Sequence, residues 1–406
     1  MGLRRMAFVF FALSLVITPA AFAHPQRADV AADSGIAARR VAHLRHGVNL
    51  SDWFAQQGPD GYTQQHFQTA ITAQDLDLIR AMGFDHVRLP VDPLPMIHNP
   101  SDQIPAADFA NLDAAVKMLL DRDLAVELVI FPDSQLKGKL GSDDAYVEGF
   151  AGFWRSFARH YSSFDPNRVF FEIINEPEAR DRYRWYGIEA KLATAIREGA
   201  PQHTIIATGA HSSDDDDLVF LEPLRDANVI YTFHFYESHL FTHQGATWTG
   251  NFWHYLAGVP YPSDPERARK AAQLVPDPQE RLVVIRYGLE NWNAARIDAE
   301  IGQADEWARH WNVPVICNEF GVYKPYADPN DRAAWLTDVR TALEKRGIGW
   351  ATWAYDGDFG VVNKDSGQPV PDPATVRALG RTMPHTAQSS SQTGISKAIP
   401  DPQPTR

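Results

Sequence analysis

The chain has 406 residues, 44% of them hydrophobic, with 11 Trp, 22 Phe and 13 Tyr. That composition excludes a disordered protein and supports a large core. Its formal net charge of −13, with no basic stripe, excludes nucleic acid as an expected partner, and its single cysteine, Cys317, excludes an intramolecular disulfide.

Arg4 and Arg5 precede an apolar run over residues 7–17, and Ala21-Phe22-Ala23 follows as a small-x-small cleavage site. Residues 1–23 therefore read as a secretory signal peptide cut after Ala23. The run is short for a membrane span, so no membrane contact is expected after cleavage. The protein is expected to be exported, either secreted or periplasmic. Residues 24–40 are Ala-rich and polar and read as a flexible mature N-terminus. The folded domain is expected over 41–384. Residues 385–406, with Ser389-Ser390-Ser391 and Pro400, Pro402 and Pro404, read as a disordered tail.

Between these ends, apolar strands alternate with helices. Residues 45–54 read as a first strand and its loop. Residues 71–82 have helical spacing, closed by Gly83. A second strand covers 84–91, and a helix covers 106–122 with Leu112, Ala115, Val116, Leu119 and Leu120 on one face. Strands follow at 124–132, 169–177, 203–209 and 228–236, with helices at 145–161 and 182–198. Residues 240–290 read as a long insertion containing Trp248, Trp253 and several prolines. A helix over 291–311, a strand over 313–321, a helix over 331–346 and a strand over 347–353 complete the series. A last helix spans 373–382, with proline at its start, where a missing N–H costs least. Eight strands alternating with helices predict a single α/β domain, a (β/α)8 TIM barrel.

Two of these strands end in the same way. Phe170-Phe171-Glu172-Ile173-Ile174-Asn175-Glu176-Pro177 is an apolar run that stops at a carboxylate, and Val313-Pro314-Val315-Ile316-Cys317-Asn318-Glu319-Phe320-Gly321 is another. The carboxyl ends of barrel strands form the face that carries chemistry. A lone strand-end glutamate is usually a solvated loop residue or a capping partner. Two of them on one barrel are what retaining glycoside hydrolysis requires. Cys317 reads as a small core hydrophobe.

Five motifs together carry a resemblance: Arg88 in His86-Val87-Arg88-Leu89-Pro90, Asn175-Glu176-Pro177, His234-Phe235-Tyr236, Asn318-Glu319-Phe320-Gly321, and Trp353. Over residues 45–380 the sequence resembles glycoside hydrolase family 5, the cellulase-type family of retaining β-glycanases. The resemblance implies Glu176 as acid/base and Glu319 as nucleophile. It implies that Arg88 keeps Glu319 ionised, Tyr236 orients it, His234 serves Glu176, Asn175 holds the sugar 2-hydroxyl and Trp353 forms a stacking floor. One departure stands out. The family usually carries a histidine at the end of the third strand, and Phe131 occupies that position, with Asp133 or Gln135 as alternative sources of a polar contact.

Further residues have competing readings. His211 follows the fifth strand and either meets substrate or sits in a solvated loop. Asp214-Asp215-Asp216-Asp217 reads as a solvated helix start rather than a calcium site. His234, His239 and His243 lack zinc-motif spacing, so no metal is expected. Trp53, Trp248 and Trp253 are either sugar platforms or loop packing. With no glycine-rich phosphate loop, no cofactor is expected. The expected activity is endo-β-1,4-glucanase-like cleavage of β-glucan by a monomer. A β-mannanase or β-1,3-glucanase on the same scaffold is the alternative, and a non-catalytic carbohydrate-binding barrel is the rival from another class.

Overall fold

The computed structural model describes residues 35–57, 61–97 and 104–384. The segments read as a signal peptide and a C-terminal tail lie outside the described residues, as does 24–34. Eight parallel strands close into a barrel in chain order: β1 (His46–Asn49), β2 (His86–Val91), β3 (Ala125–Ile130), β4 (Val169–Glu172), β5 (Thr204–Thr208), β6 (Val229–Phe235), β7 (Val315–Phe320) and β8 (Gly349–Thr352). β1 pairs with both β2 and β8, which closes the ring. The principal helices are α1 (Ala73–Ala81), α2 (Ala110–Leu120), α3 (Asp144–Tyr161), α4 (Arg182–Gly199), α5 (Asp215–Leu218), α6 (Ala294–Trp311), α7 (Pro329–Lys345) and α8 (Pro373–Ala378). The TIM-barrel expectation holds.

Strand side chains alternate between two cores. Val87, Leu89, Val126, Leu128, Phe171 and Ile205 point outward into the main core shared with the helices. Ala125, Phe170, Ile206, Ile230 and Ile316 point inward and pack with Ala37 and Leu44. Ala37 corrects the last part of the stretch expected to be flexible over 24–40. Residues 35–40 are helical, Ala37 is fully buried, and Arg40 donates to Asn167 Oδ1 and Thr204 Oγ1 at 3.0 and 3.1 Å. Ala37 is small enough to close the floor of the barrel.

The insertion over 240–290 is also structured. It contains helices Pro265–Ala272 and Pro278–Tyr287, each with proline in its first turn and an aspartate cap, Asp264 or Asp277. Tyr261 ties it to α7 through Asp338 at 2.6 Å, and Arg267 through Asp331 at 2.6 Å. Among the described residues no helix is long and apolar enough to cross a membrane.

Candidate active site

A slip in the β6–β7 register builds one side of the site. Phe233 pairs with Cys317, but the next residue, His234, pairs with Glu319. This bulge lets Asn318 reach Glu127 and Glu172 inside the barrel while Glu319 reaches Arg88 and Tyr236 above them. Cys317 stays in the main core, as read from the sequence. Gly321 follows because the carbonyl of Trp353 comes close; a Cβ there would lie 2.3 Å from that oxygen.

Across the barrel, Glu176 follows β4 with φ 45°, in the left-handed region, where a non-glycine residue carries strain of order 1–3 kcal/mol. Its side chain is 31% exposed, whereas that of Glu319 is 5% exposed. Glu319 is therefore sunk in the floor and Glu176 faces the opening. One carboxylate oxygen of each, together with a ring nitrogen of His234, all lie within 4.8 Å of one another.

Arg88 organises the floor from β2, fully buried. Nε donates to Glu172 Oε2 at 2.6 Å, and Nη2 to Glu172 Oε1 at 2.8 Å and Asn175 Oδ1 at 2.9 Å. Nη1 donates to Asn49 Oδ1 at 2.9 Å and to Glu319 Oε1. Every N–H of the guanidinium is thereby used. Because Arg88 fixes the Asn175 oxygen, the Asn175 NH2 is the end left to face a ligand. Tyr236 Oη donates to Glu319 Oε2 at 3.0 Å. His234 Nδ1 lies 3.0 Å from Glu176 Oε1 and 3.5 Å from Glu319 Oε2.

The charges are uneven. Desolvation pushes the Glu176 carboxyl up, but the hydrogen bond and charge of His234 outweigh it and hold it down at about 2. Burial pushes Glu319 up, and His234 and Arg88 pull back without cancelling it, so its net shift is upward. Arg88 bonds Glu319 and favours its charge, but the guanidinium is shared with Glu172. Burial opposes a charge on His234, yet Glu319 and Glu176 raise its pKa. Burial, then Glu319 and Glu176, push the Tyr236 hydroxyl far up, so it remains a donor.

The remaining sequence candidates divide. Trp353 stacks on Phe131, ring centroids 5.9 Å apart and planes at 15°. The ring at the usual histidine position thus extends an aromatic wall and offers no hydrogen bond. Asp133 does not replace it; it caps the helix Ser134–Ser142 by accepting from Leu136 N at 2.8 Å. Trp53 is a correction: it is 2% exposed, and its indole N–H donates to Phe67 O at 2.9 Å, so it packs the core and offers no sugar platform. Trp248 is 58% exposed and stands edge-on to Tyr323 at 5.0 Å, with Phe359 at 6.3 Å. His243 lies 5.0 Å from Tyr236 and 6.4 Å from Trp248, which links that cluster to Glu319. His211 bonds Asp217, and its ring touches neither glutamate. The aspartate run begins a helix, but Asp215 and Asp217 are buried, and Asp217 also pairs with Arg182 at 2.6 Å. It is not the solvated start expected.

Sequence reasoning missed Glu127, Glu172, Asn49 and Asn318, all fully buried. The signal was present: a charged or amide residue inside an otherwise apolar barrel strand must point inward and be paired.

The comparisons with known proteins agree with this geometry. Residues 50–358 match the family model described as Cellulase (glycosyl hydrolase family 5). The chain is 28% identical to Endoglucanase C of Acetivibrio thermocellus over 335 residues, 80% of this chain and 95% of that protein. It is 26% identical to Cellodextrinase A of Ruminococcus flavefaciens, over 74% and 82% of the two chains. Among solved structures it is similar to Thermotoga maritima Cel5A in complex with mannotriose. There the TM-score is 0.68 and the identity 25%, over 84% of this chain and 99% of that one.

Proposed function

The chain belongs to the cellulase family, glycosyl hydrolase family 5, and from that premise we propose that it is an endo-β-1,4-glucanase acting by double displacement, with Glu319 as nucleophile and Glu176 as acid/base. The observation that carries the reading is the separation of the two carboxylates, whose oxygens approach within 4.8 Å. A retaining pair stands about 5–5.5 Å apart, and an inverting pair leaves roughly 6.5–9.5 Å for a water.

Glu319 attacks the anomeric carbon as the glycosidic bond breaks, and the leaving oxygen takes a proton from Glu176. Water then gives a proton to Glu176 and displaces Glu319, restoring the original configuration. Arg88 and Tyr236 hold the Glu319 oxygens at the attack position. The Asn175 NH2 donates to the sugar 2-hydroxyl, a contact that strengthens at the transition state. Phe131 and Trp353 form the apolar wall on which the sugar face packs, and Trp248 provides a second platform further along the cleft. The segment over residues 1–23 acts as a signal peptide that exports the protein.

The experiment is reducing-sugar release by the mature protein from carboxymethylcellulose, mixed-linkage β-glucan, mannan and laminarin, with Glu319→Gln as the blank. Release from the β-1,4-glucans, absent in the blank, supports the reading. Release from mannan alone would replace glucan with mannan, the sugar class named in the Cel5A complex. No release from any member would favour a carbohydrate-binding barrel.

A further inference from the structure

Below the two carboxylates lies a second acidic pair that the reaction does not use. Glu127 of β3 and Glu172 of β4 are both fully buried, and Asn318 Nδ2 donates to each, to Glu127 Oε1 at 2.6 Å and to Glu172 Oε2 at 2.8 Å. A single amide nitrogen thus holds an oxygen from each carboxyl group, so the two lie side by side. Arg88 is the one guanidinium facing them, and all of its N–H groups are committed to Glu172, Glu319, Asn49 and Asn175. Glu127 lies 3.8 Å from Arg88 Nε, but that nitrogen's only hydrogen goes to Glu172. The second oxygen of Glu127 is buried and meets no donor among the described residues. An ionised Glu127 would place three carboxylates around one guanidinium, with one buried oxygen left without a donor among the described residues.

We infer that Glu127 is a protonated carboxylic acid, and that as a neutral hydrogen-bond donor it positions Glu172 and, through Glu172, the Arg88 fork beneath Glu319. With Glu127 neutral, Glu172 and Glu319 share Arg88, and the remaining negative charge faces His234. The titratable groups around Glu127 are Arg88 from β2 and Glu172 from β4, with Glu319 beyond the guanidinium. Burial first, then the charge of Glu172 and a hydrogen bond to it, all press Glu127 upward, and Arg88 and Asn318 do not offset them. Glu127 never touches substrate. Its role is to keep Arg88 from being shared a third way.

The inference rests on the glycanase reading for its kinetic arm only. The direct test is infrared difference spectroscopy of wild type against Glu127→Gln at neutral pH. The expected result is a protonated-carboxyl C=O band in wild type, insensitive to moderate alkali and lost in the variant. Its absence overturns the proposal, whatever the activity. The kinetic arm compares pH profiles of kcat/KM. Glu127→Ala is expected to lose tenfold or more in kcat, and Glu127→Gln to restore it with the acid limb where wild type has it. Glu172→Gln is expected to move that limb to lower pH, because Arg88 then serves Glu319 alone. A limb moved down equally by Glu127→Gln would mean that Glu127 is charged and would overturn the inference. If Glu127→Gln does not fold, the protonated-carboxyl band is read in wild type against Glu127→Ala, and its absence overturns the inference. Silence of the wild type on every glycan would instead sink the glycanase reading and leave the infrared result standing.

Discussion

His234 Nδ1 stands 3.0 Å from Glu176 Oε1, and this contact determines where the proton needed for acid catalysis is kept. With Glu176 held down at about 2, its carboxyl is ionised at neutral pH, while the pKa of His234 is raised by the two glutamates beside it. The proton of the pair is thereby drawn toward the imidazole, in reach of the acid.

The alkaline limb of kcat/KM should then report His234 and not Glu176. Above the raised imidazole pKa the pair has lost its proton and cannot assist the leaving group, so activity falls as pH rises through that value. His234→Gln removes the positive charge that holds Glu176 down, and the limb passes to a lone, partly desolvated carboxyl. It should move to lower pH, with at least a tenfold loss of kcat at neutral pH, within the range for a general acid. The acid limb is set by Glu319, which must be ionised to attack and whose pKa burial shifts upward. A pH–rate profile of the variant whose alkaline limb coincides with that of wild type would refute the shared proton.

Trp53 and Trp248 look alike in sequence and should behave oppositely. Trp53→Ala opens a cavity beside Phe54, 5.2 Å away, and frees the Phe67 carbonyl. It should cost about 3–5 kcal/mol of stability, with little change in KM for the folded fraction. Trp248→Ala removes an exposed ring and should leave the melting temperature nearly unchanged. Its effect should be a roughly two- to tenfold rise in KM on long glucans, equivalent to an aromatic contact of about 0.5–1.5 kcal/mol. An aryl cellobioside too short to reach the ring should show no change. Thermal melts and the two substrates together separate the roles; equal loss on long and short substrates would remove Trp248 from the binding surface.

What the sequence made legible follows from how local each signal is. The strands that end in Glu176 and Glu319 announce themselves because an apolar run ending in a carboxylate is a feature of one segment. The Trp53 assignment needed knowledge of what covers it, here Phe67 from the segment Gln64–Thr69 and the carbonyl that its indole meets. The floor beneath Arg88 joins β1, β2, β3, β4 and β7, and pairing across five strands is not written in any one of them. The one local trace of it, a charge at Glu127 and at Glu172 inside apolar strands, does not say what each pairs with. The helices at 265–287 were hidden by their own prolines, which mark loops in one context and first helical turns after an aspartate cap in another. The helix at 35–40 was hidden because alanine-rich polar sequence does not reveal that Ala37 closes a barrel floor.

Azide should tell the two carboxylates apart chemically. In Glu319→Ala the attacking group is gone, and Glu176 remains to protonate the leaving group. The small anion can occupy the vacated position beside Arg88 and attack the anomeric carbon once, giving a glycosyl azide of inverted configuration from an activated aryl glycoside. In Glu176→Ala the aryl group leaves without acid help, Glu319 still forms the covalent intermediate, and azide displaces it in a second inversion. That product retains the original configuration. Proton NMR of the anomeric signal distinguishes the two. Retained product from Glu319→Ala would reverse the assignments, and rescue of neither variant would remove both residues from the double displacement.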